Sequence, residues 1–147
     1  MQCEGVLTSW QVWALDSAVF AALTAMFATI GIAEVNSDFA TFVCTVVILL
    51  ALALMLTLAG NWQAPGTVPM KSWVFLVLSG LATGASWLCY FRALQIGKAA
   101  QVAPVDKLSV VLVAVFAVLF LGEQLSTAHW VAVVMIGGGA LLLALPI

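Results

Sequence analysis

Residues 98–123 read KAAQVAPVDKLSVVLVAVFAVLFLGE, and the apolar part of this stretch is too short to cross a membrane alone. The charge-free run from Leu108 to Leu121 has 14 residues, which extend about 21 Å as a helix. A hydrocarbon core is about 30 Å thick and needs about 20 residues. A helix that crosses it must therefore begin near Ala100, which places Asp106 and Lys107 inside the apolar slab.

The composition of the whole chain indicates that lipid is the solvent. Of 147 residues, 65% are apolar and 7% are charged, whereas soluble domains carry about 25% charged residues. In water such a chain would expose far more apolar surface than the roughly few hundred Å² that a soluble monomer tolerates. We therefore predict an all-α membrane protein, a single domain over residues 1–147, in contact with membrane lipid.

Five segments are long enough to span a bilayer. The predicted spans are Gln11–Ile32, Asp38–Leu58, Trp73–Gln95, Ala100–Leu121 and Ala128–Pro146. Asn36, Ser37 or Asp38 can cap the second span, and Ser126 or Thr127 the fifth. Two glycines and two prolines fill residues 60–69, and Gly97 and Gly122 are typical helix stops. The first segment exceeds the roughly 7–15-residue core of a signal peptide, so we expect it to remain as a helix.

An odd number of spans places the two termini on opposite sides of the membrane. The carboxyl-terminal side carries Arg92, Lys98 and Lys107, and the other side carries Lys71. By the positive-inside rule the carboxyl-terminal side is cytoplasmic, in the inner membrane of a bacterium or archaeon. The difference is only one or two charges, so insertion in both orientations stays an open alternative. Five tryptophans form an interfacial belt on the opposite side: Trp10, Trp13, Trp62, Trp73 and Trp130.

Several function classes are excluded by charge and residue spacing. A net charge of -2 without a Lys/Arg cluster argues against nucleic acid as a partner. Cys3, Cys44 and Cys89 are odd in number and lack metal-ligand spacing, so we interpret them as small packing residues. His129 stands without a Ser/His/Asp or metal-ligand constellation. We expect neither an enzyme nor a cofactor or metal site.

Asp106 and Lys107 are the first candidate site residues. A charged group at mid-depth costs about 2.5–3.5 kcal/mol, so such residues usually face a wet cavity and mark a pathway. Adjacent helical residues point about 100° apart, so we expect partners on other helices or a ligand, with Arg92 as the candidate partner of Asp106. Pro104 removes a backbone donor nearby. Alternatively, Lys107 and Arg92 extend to the membrane surface while Asp106 stabilises the first helical turn.

Two further features of the spans are candidates for function. Trp87 and Tyr90 are three residues apart on one helix face and would line a cavity against Asp106, or else pack in the core or against lipid. Asp16 lies one to two turns into the first span. It is either a proton-coupling carboxylate or an interfacial acid that the helix dipole favours.

Small residues predict close contacts between helices. Gly80 and Gly84 form a GxxxG motif in the third span, and Gly137, Gly138 and Gly139 occupy the centre of the fifth. In lipid such residues permit close backbone approach. The sequence leaves open whether these contacts lie within one copy or between two.

Three stretches carry a family resemblance: LTAMFATIGI at 23–32, NSDFATFVCTVVILL at 36–50 and SWLCYFRALQIGKAAQVAPVDKLSVVLVAVFAVLFLGEQLS at 86–126. The matches RAL, APVDKLSVVL and FLGE resemble, in register, the EamA family of the drug/metabolite transporter superfamily in its short five-helix bacterial and archaeal form. Longer relatives hold two inverted repeats, so the resemblance implies that a single repeat forms a homodimer. It also implies a lysine in relatives at Thr29 and an arginine at Cys44, which leaves altered or lost activity open.

The resemblance and the intramembrane charges favour a secondary transporter of a small organic solute, such as a metabolite or hydrophobic cation, working by alternating access of a homodimer. The charged residues of the third and fourth spans would supply polar contacts, and the aromatic residues of the third span would form walls. One alternative is a non-transporting assembly or binding subunit. Another is a small-multidrug-resistance-like exporter that uses Asp16 as its proton site.

Thiol labelling in intact cells tests the orientation. In a variant with Cys3, Cys44 and Cys89 replaced by serine, a single cysteine is introduced as Gln2→Cys or Ile147→Cys. We expect a membrane-impermeant maleimide to label Gln2→Cys in intact cells and Ile147→Cys only after permeabilisation, because the positive-inside rule places the carboxyl terminus in the cytoplasm. The reverse pattern would contradict this orientation, and partial labelling of both would indicate dual insertion.

Overall fold

The structure, a computed structural model, describes residues 10–145, and all regular structure in this range is helical. The helices are α1 (Trp10–Gly31), α2 (Ser37–Ala59), α3 (Met70–Ile96), α4 (Ala99–Asp106), α5 (Ser109–Phe120) and α6 (Thr127–Ala144), with a short 3₁₀ helix at Pro65–Thr67. Cys3 and Pro146, on which two sequence predictions fall, lie outside the described residues. The prediction of an all-α fold is confirmed.

Five helical segments are long and apolar enough to cross a membrane, and α4 with α5 makes up the fourth as Ala99–Phe120. The prediction of five long apolar helices is therefore confirmed. Among the boundaries within the described residues, the largest difference is at the start of α3, which begins at Met70 rather than Trp73. The fourth span also begins where the length argument required, one residue before Ala100.

The surfaces of these helices are apolar and exposed. In the most apolar 18-residue window of α2, none of the residues is buried within the chain, and Leu49 and Leu58 are exposed by 66% and 81%. Because the bilayer interior offers the backbone no water, each spanning segment satisfies its own amides and carbonyls as a helix. The exposed side chains are then solvated by lipid.

Polar residues end the helices where the sequence predicts. The Asn36 side chain caps α2 by accepting hydrogen bonds from the amides of Asp38 at 2.9 Å and Phe39 at 3.3 Å. Ser126 caps α6. Gly60 ends α2 with a φ of 65°, a left-handed conformation that is cheap for glycine alone. These caps satisfy backbone groups that lipid could not.

Six threonines in α1, α2 and α3 use their hydroxyls locally. Each donates to the carbonyl oxygen four residues earlier at 2.7–2.8 Å. They are Thr24, Thr29, Thr41, Thr45, Thr57 and Thr83. The backbone thus accepts a second hydrogen bond, and the hydroxyl needs no partner on another helix.

The fourth span is interrupted, whereas the sequence predicts one continuous helix. α4 ends at Asp106 and α5 begins at Ser109. Between them, the amides of Lys107 and Leu108 donate to carbonyls three residues earlier, at 3.1 and 3.0 Å. This tighter 3₁₀-type turn follows Pro104, whose ring nitrogen donates no hydrogen bond inside α4.

The chain divides into two compact units, with the boundary between Gln95 and Ile96. The first contains α1, α2 and α3. In the second, α6 packs against both α4 and α5. A Cβ added at Gly137 would lie 3.0 Å from Val111 Cγ2, so this glycine permits the close approach of α6 to α5.

The other predicted packing glycines have no such neighbour. A Cβ at Gly138 or Gly139 would meet nothing within 4 Å. The same holds for Gly80 and Gly84, which are exposed on α3. Within the described residues, the predicted close contact is therefore found for Gly137 and not for the other four glycines.

Replacing Gly137 by valine should destabilise the protein, because the added methyl groups would overlap Val111. Overpacking of this kind costs about 1–3 kcal/mol, and we expect a lower Tm in detergent. Gly138→Val is the matched control, with a similar loss of backbone freedom but open space around the side chain. Equal Tm values for the two variants would contradict the contact, and Val111→Ala should restore part of the stability of Gly137→Val.

Candidate functional site

An apolar groove of about 500 Å³ lies within the first unit, between α1, α2 and the last turns of α3. We call it the α1–α3 groove. Its lining residues come from all three helices and the α1–α2 connection: Thr24, Phe27, Ala28, Gly31, Ile32, Val35, Phe39, Ala40, Val43, Cys44, Val47, Ile48, Trp87 and Phe91. The volume falls within the roughly 300–1,000 Å³ typical of small-molecule sites.

The groove begins at the α1–α2 connection and reaches about halfway along the helices. On α2 its lining runs from Phe39 to Ile48, and along α1 it runs from Ile32, one residue past the helix end, back to Thr24. At about 1.5 Å per residue these distances are about 13 and 12 Å. The lining therefore extends along a little under half of each helix, since α1 and α2 have 22 and 23 residues.

An aromatic pair on α3 forms one wall of the groove. The rings of Trp87 and Phe91 are stacked, with centroids 5.8 Å apart and planes 18° apart. Phe91 is only 1% exposed, and Trp87 is half-buried. Tyr90 is not among the lining residues and meets Phe91 edge-on, with centroids 6.5 Å apart. The structure thus places Trp87 and Phe91, rather than Trp87 and Tyr90, along the cavity.

Two polar links join the end of α3 to the α1–α2 connection and the start of α2. Arg92 Nη2 lies 3.4 Å from Asp38 Oδ2, and Gln95 Nε2 donates to the carbonyl of Val35 at 3.0 Å. The sequence predicts Asp106 as the partner of Arg92, but the structure gives Arg92 the partner Asp38. Because Phe39 and Phe91 line the groove beside these residues, the ion pair marks its outer end.

The predicted separation of Asp106 and Lys107 is wrong. Lys107 Nζ lies 3.4 Å from Asp106 Oδ2, although neighbours on a regular helix point about 100° apart. Lys107 lies beyond the end of α4, in the tight turn before α5. Its long side chain folds back to the carboxylate there. The two side chains are 56% and 36% exposed, so neither is enclosed by its own chain.

Comparison with known families agrees with the sequence resemblance. The model of the EamA-like transporter family matches residues 8–145. The chain belongs to this family. A relative from Sinorhizobium sp., named "Uncharacterized transporter in cobO 3'region", is 62% identical over 136 residues, which cover 92% of this chain and 96% of the relative. No solved structure matches the chain.

Membership in the EamA-like family and the name of the relative both point to a transporter rather than an enzyme. A serine–histidine contact does occur, between Ser126 Oγ and His129 Nδ1 at 3.0 Å. This contact belongs to the cap of α6, where Ser126 also accepts a hydrogen bond from the amide of His129. Among residues 10–145, no three metal-ligating side chains come together.

The two positions at which the sequence resemblance implies cations in relatives lie in the first unit. Thr29 is half-buried and donates its hydroxyl to the carbonyl of Ala25. Cys44 is half-buried and lines the α1–α3 groove. A thiol therefore stands in the groove where the resemblance implies a cation in relatives.

Asp16 is exposed on α1, six residues after the helix begins. This corresponds to about 9 Å along the axis. The position is compatible with both sequence interpretations, a proton-coupling carboxylate and an interfacial acid. Its role in proton coupling remains a prediction.

Asp38, Phe91 and Gln95 are the site residues that sequence reasoning missed. From the sequence, Asp38 is predicted only as a cap residue. Its charge, opposite to that of Arg92, also suggests a pair, since antiparallel helices bring the start of α2 close to the end of α3. Phe91 and Trp87 are four residues apart, a helical spacing as good as that of Trp87 and Tyr90. No sequence signal distinguishes the two alternatives.

The Arg92–Asp38 pair should contribute little to stability, because the side chains are 65% and 52% exposed. A double-mutant cycle with Arg92→Gln and Asp38→Asn, measured by unfolding in detergent, should give a coupling energy of about 0.2–1 kcal/mol. Lys71→Gln is the control cation, because it lies 21 residues earlier in α3, about 31 Å away along the helix. It should show no coupling to Asp38→Asn, and a coupling of Arg92 above about 2 kcal/mol would indicate a desolvated pair instead.

Proposed function

We propose that this EamA-like protein is a secondary transporter that carries a small organic solute or metabolite across the cytoplasmic membrane. Two copies act as a homodimer, and each contributes one five-helix repeat over residues 1–147. The dimer opens the solute site alternately to either side. Transporters built from paired repeats typically bind their substrate near the bilayer midplane, at the interface of the repeats.

One observation carries this proposal, namely an acid and a base within a membrane-spanning stretch. Asp106 and Lys107 lie seven and eight residues after Ala99, where the span begins, or about 10–12 Å along a helix. An ionised group at depth costs about 2.5–3.5 kcal/mol on insertion scales. A purely structural span would avoid two such groups, so their position supports a role on a solute pathway.

The exposure of this pair supports a homodimer. Asp106 and Lys107 are 36% and 56% exposed within their own chain, and hydrocarbon is a poor environment for ionised groups. A second copy can enclose these side chains in a polar or water-filled interface. Gly80 and Gly84 add support, because their exposed face on α3 has open space around it and glycines at this spacing favour helix contacts in lipid.

Residues of α3 would contact the solute in the first unit. Trp87 lines the α1–α3 groove and would form a wall, and Tyr90 lies against Phe91 next to that wall. Arg92 would provide a polar contact at the outer end, where it pairs with Asp38. The tight turn at Lys107 offers a joint between α4 and α5, as short 3₁₀ stretches inside helices often do.

Flux through proteoliposomes tests the proposal. Vesicles are loaded with a mixture of metabolites and their release is measured by mass spectrometry, with protein-free vesicles as the reference. We expect a solute that the protein releases, and a decrease of at least about tenfold in Asp106→Asn/Lys107→Met, because each lost charge-assisted contact is worth about 1.5–3 kcal/mol. Lys71→Met and Glu123→Gln are matched controls, because these charges lie outside the fourth span and its turn.

Unchanged flux in the double variant would remove Asp106 and Lys107 from the pathway. Binding of solutes without flux through the unaltered protein would favour the assembly or binding subunit. Cross-linking of single cysteines in the membrane, read as dimer or monomer on a gel, separates a lost dimer from a lost pathway.

A further inference from the structure

The α1–α3 groove has a lining that would accommodate some chemistries and exclude others. Among the described lining residues, the side chains that carry a hydrogen-bonding group are those of Thr24, Cys44 and Trp87. The Thr24 hydroxyl already donates to the carbonyl of Phe20 at 2.8 Å. The lining that residues 10–145 provide contains none of Asp, Glu, Lys, Arg and His. An ionised group seated at the inner end would therefore lose its water without gaining an ion-pair partner, which is strongly unfavourable.

Of the described residues that flank the lining in sequence, the charged ones lie at the outer end of the groove. Arg92 directly follows the lining residue Phe91 in the sequence, and Asp38 directly precedes the lining residue Phe39. Both side chains are more than half exposed, so they remain accessible to a polar group of a ligand. The groove thus offers an apolar interior with a polar outer end.

The aromatic wall favours a flat occupant. Phe91 is almost fully buried and stacks beneath Trp87, so this pair gives the groove a fixed aromatic surface. Trp87 is half-buried and faces the groove. Another aromatic ring stacked here gains about 0.5–1.5 kcal/mol beyond its area burial.

We propose that the α1–α3 groove binds the uncharged aromatic part of the transported solute, with any polar group of that solute at the Arg92–Asp38 end. The inference rests on the proposed transport function and names the substrate class for it. The solute enters from the outer end and stacks on Trp87. Its body reaches about halfway along α1 and α2, where the lining ends at Thr24 and Ile48.

Cys44 provides a reporter inside the groove. In a Cys3→Ser/Cys89→Ser variant, alkylation of Cys44 by N-ethylmaleimide is followed by intact-mass measurement with and without a probe. The probes share one ring system and differ in charge: 2-naphthalenemethanol, 2-naphthylmethylammonium and 2-naphthoate. The control variant, Cys3→Ser/Cys44→Ser, keeps Cys89, which is exposed and absent from the lining.

We expect the neutral alcohol to slow alkylation of Cys44 and to leave Cys89 unaffected. Its apparent affinity should exceed that of either ion by at least about tenfold. An ionised group at the inner end would lie unpaired, and one at the outer end would meet Arg92 and Asp38 already paired with each other. Trp87→Leu should weaken the protection by about 2- to 12-fold. Phe75→Leu, which changes an exposed aromatic residue of the same helix, should not.

Several results would overturn the assignment. One is that either ion protects Cys44 as well as the alcohol does or better, and another is that the alcohol protects Cys89 as much as Cys44. The assignment would also fail if none of the probes protected Cys44, or if Cys44 did not react under any condition. Alkylation of Cys44 can also be compared between bicelles and detergent without a probe. If bicelles slow it as much as the alcohol does, a lipid chain is the occupant.

The flux assay tests the transport function separately. Protection of Cys44 without flux would refute transport and retain the groove as a binding site. Flux without protection would support transport and refute the groove site.

Discussion

The bilayer interior offers no hydrogen bonds to the backbone, and the rest of the structure follows from this constraint. Each crossing must be a helix of about 20 residues, and the fourth apolar run is six residues short of that length. The helix therefore incorporates residues from Ala99 onward, including an acid and a base. The same constraint accounts for the side-chain cap from Asn36 and the left-handed glycine at position 60, which terminate α2.

Packing adds little enclosure within one chain. Most large apolar side chains are exposed, and the close helix contact at Gly137 lies in the second unit. In lipid, exposure of leucine and valine carries no penalty, so the helices need not pack tightly around every face. The α1–α3 groove is compatible with this looseness, since a membrane protein can keep an apolar cleft that a soluble protein would fill.

Much of the fold was predictable from the sequence because the features that determine it are local along the chain. Span length, cap residues and apolar composition are properties of consecutive residues, and they predicted all five long apolar helices. The fourth span shows the limit of this approach, because the tight turn after Asp106 depends on local hydrogen bonding that hydropathy does not register.

The site was less predictable because its contacts join residues distant in sequence or depend on side-chain conformation. Arg92 pairs with Asp38, 54 residues away, and a sequence does not indicate which opposite charge a flexible arginine will reach. Lys107 pairs with its own neighbour because it leaves the regular helix. The choice of Phe91 over Tyr90 as a groove residue depends on the rotation of α3 against α1 and α2. No residue pattern within α3 records that rotation.

The threonines of α1, α2 and α3 have a consequence for how a molecule would move beside them. Their hydroxyls point back to their own helices, so a passing molecule meets methyl groups instead of free donors. Each hydroxyl still offers an acceptor oxygen, as Thr57 shows by accepting from Trp62 Nε1 at 3.2 Å. A neighbouring molecule can therefore donate a hydrogen bond at such a position, but it finds no free hydroxyl donor there.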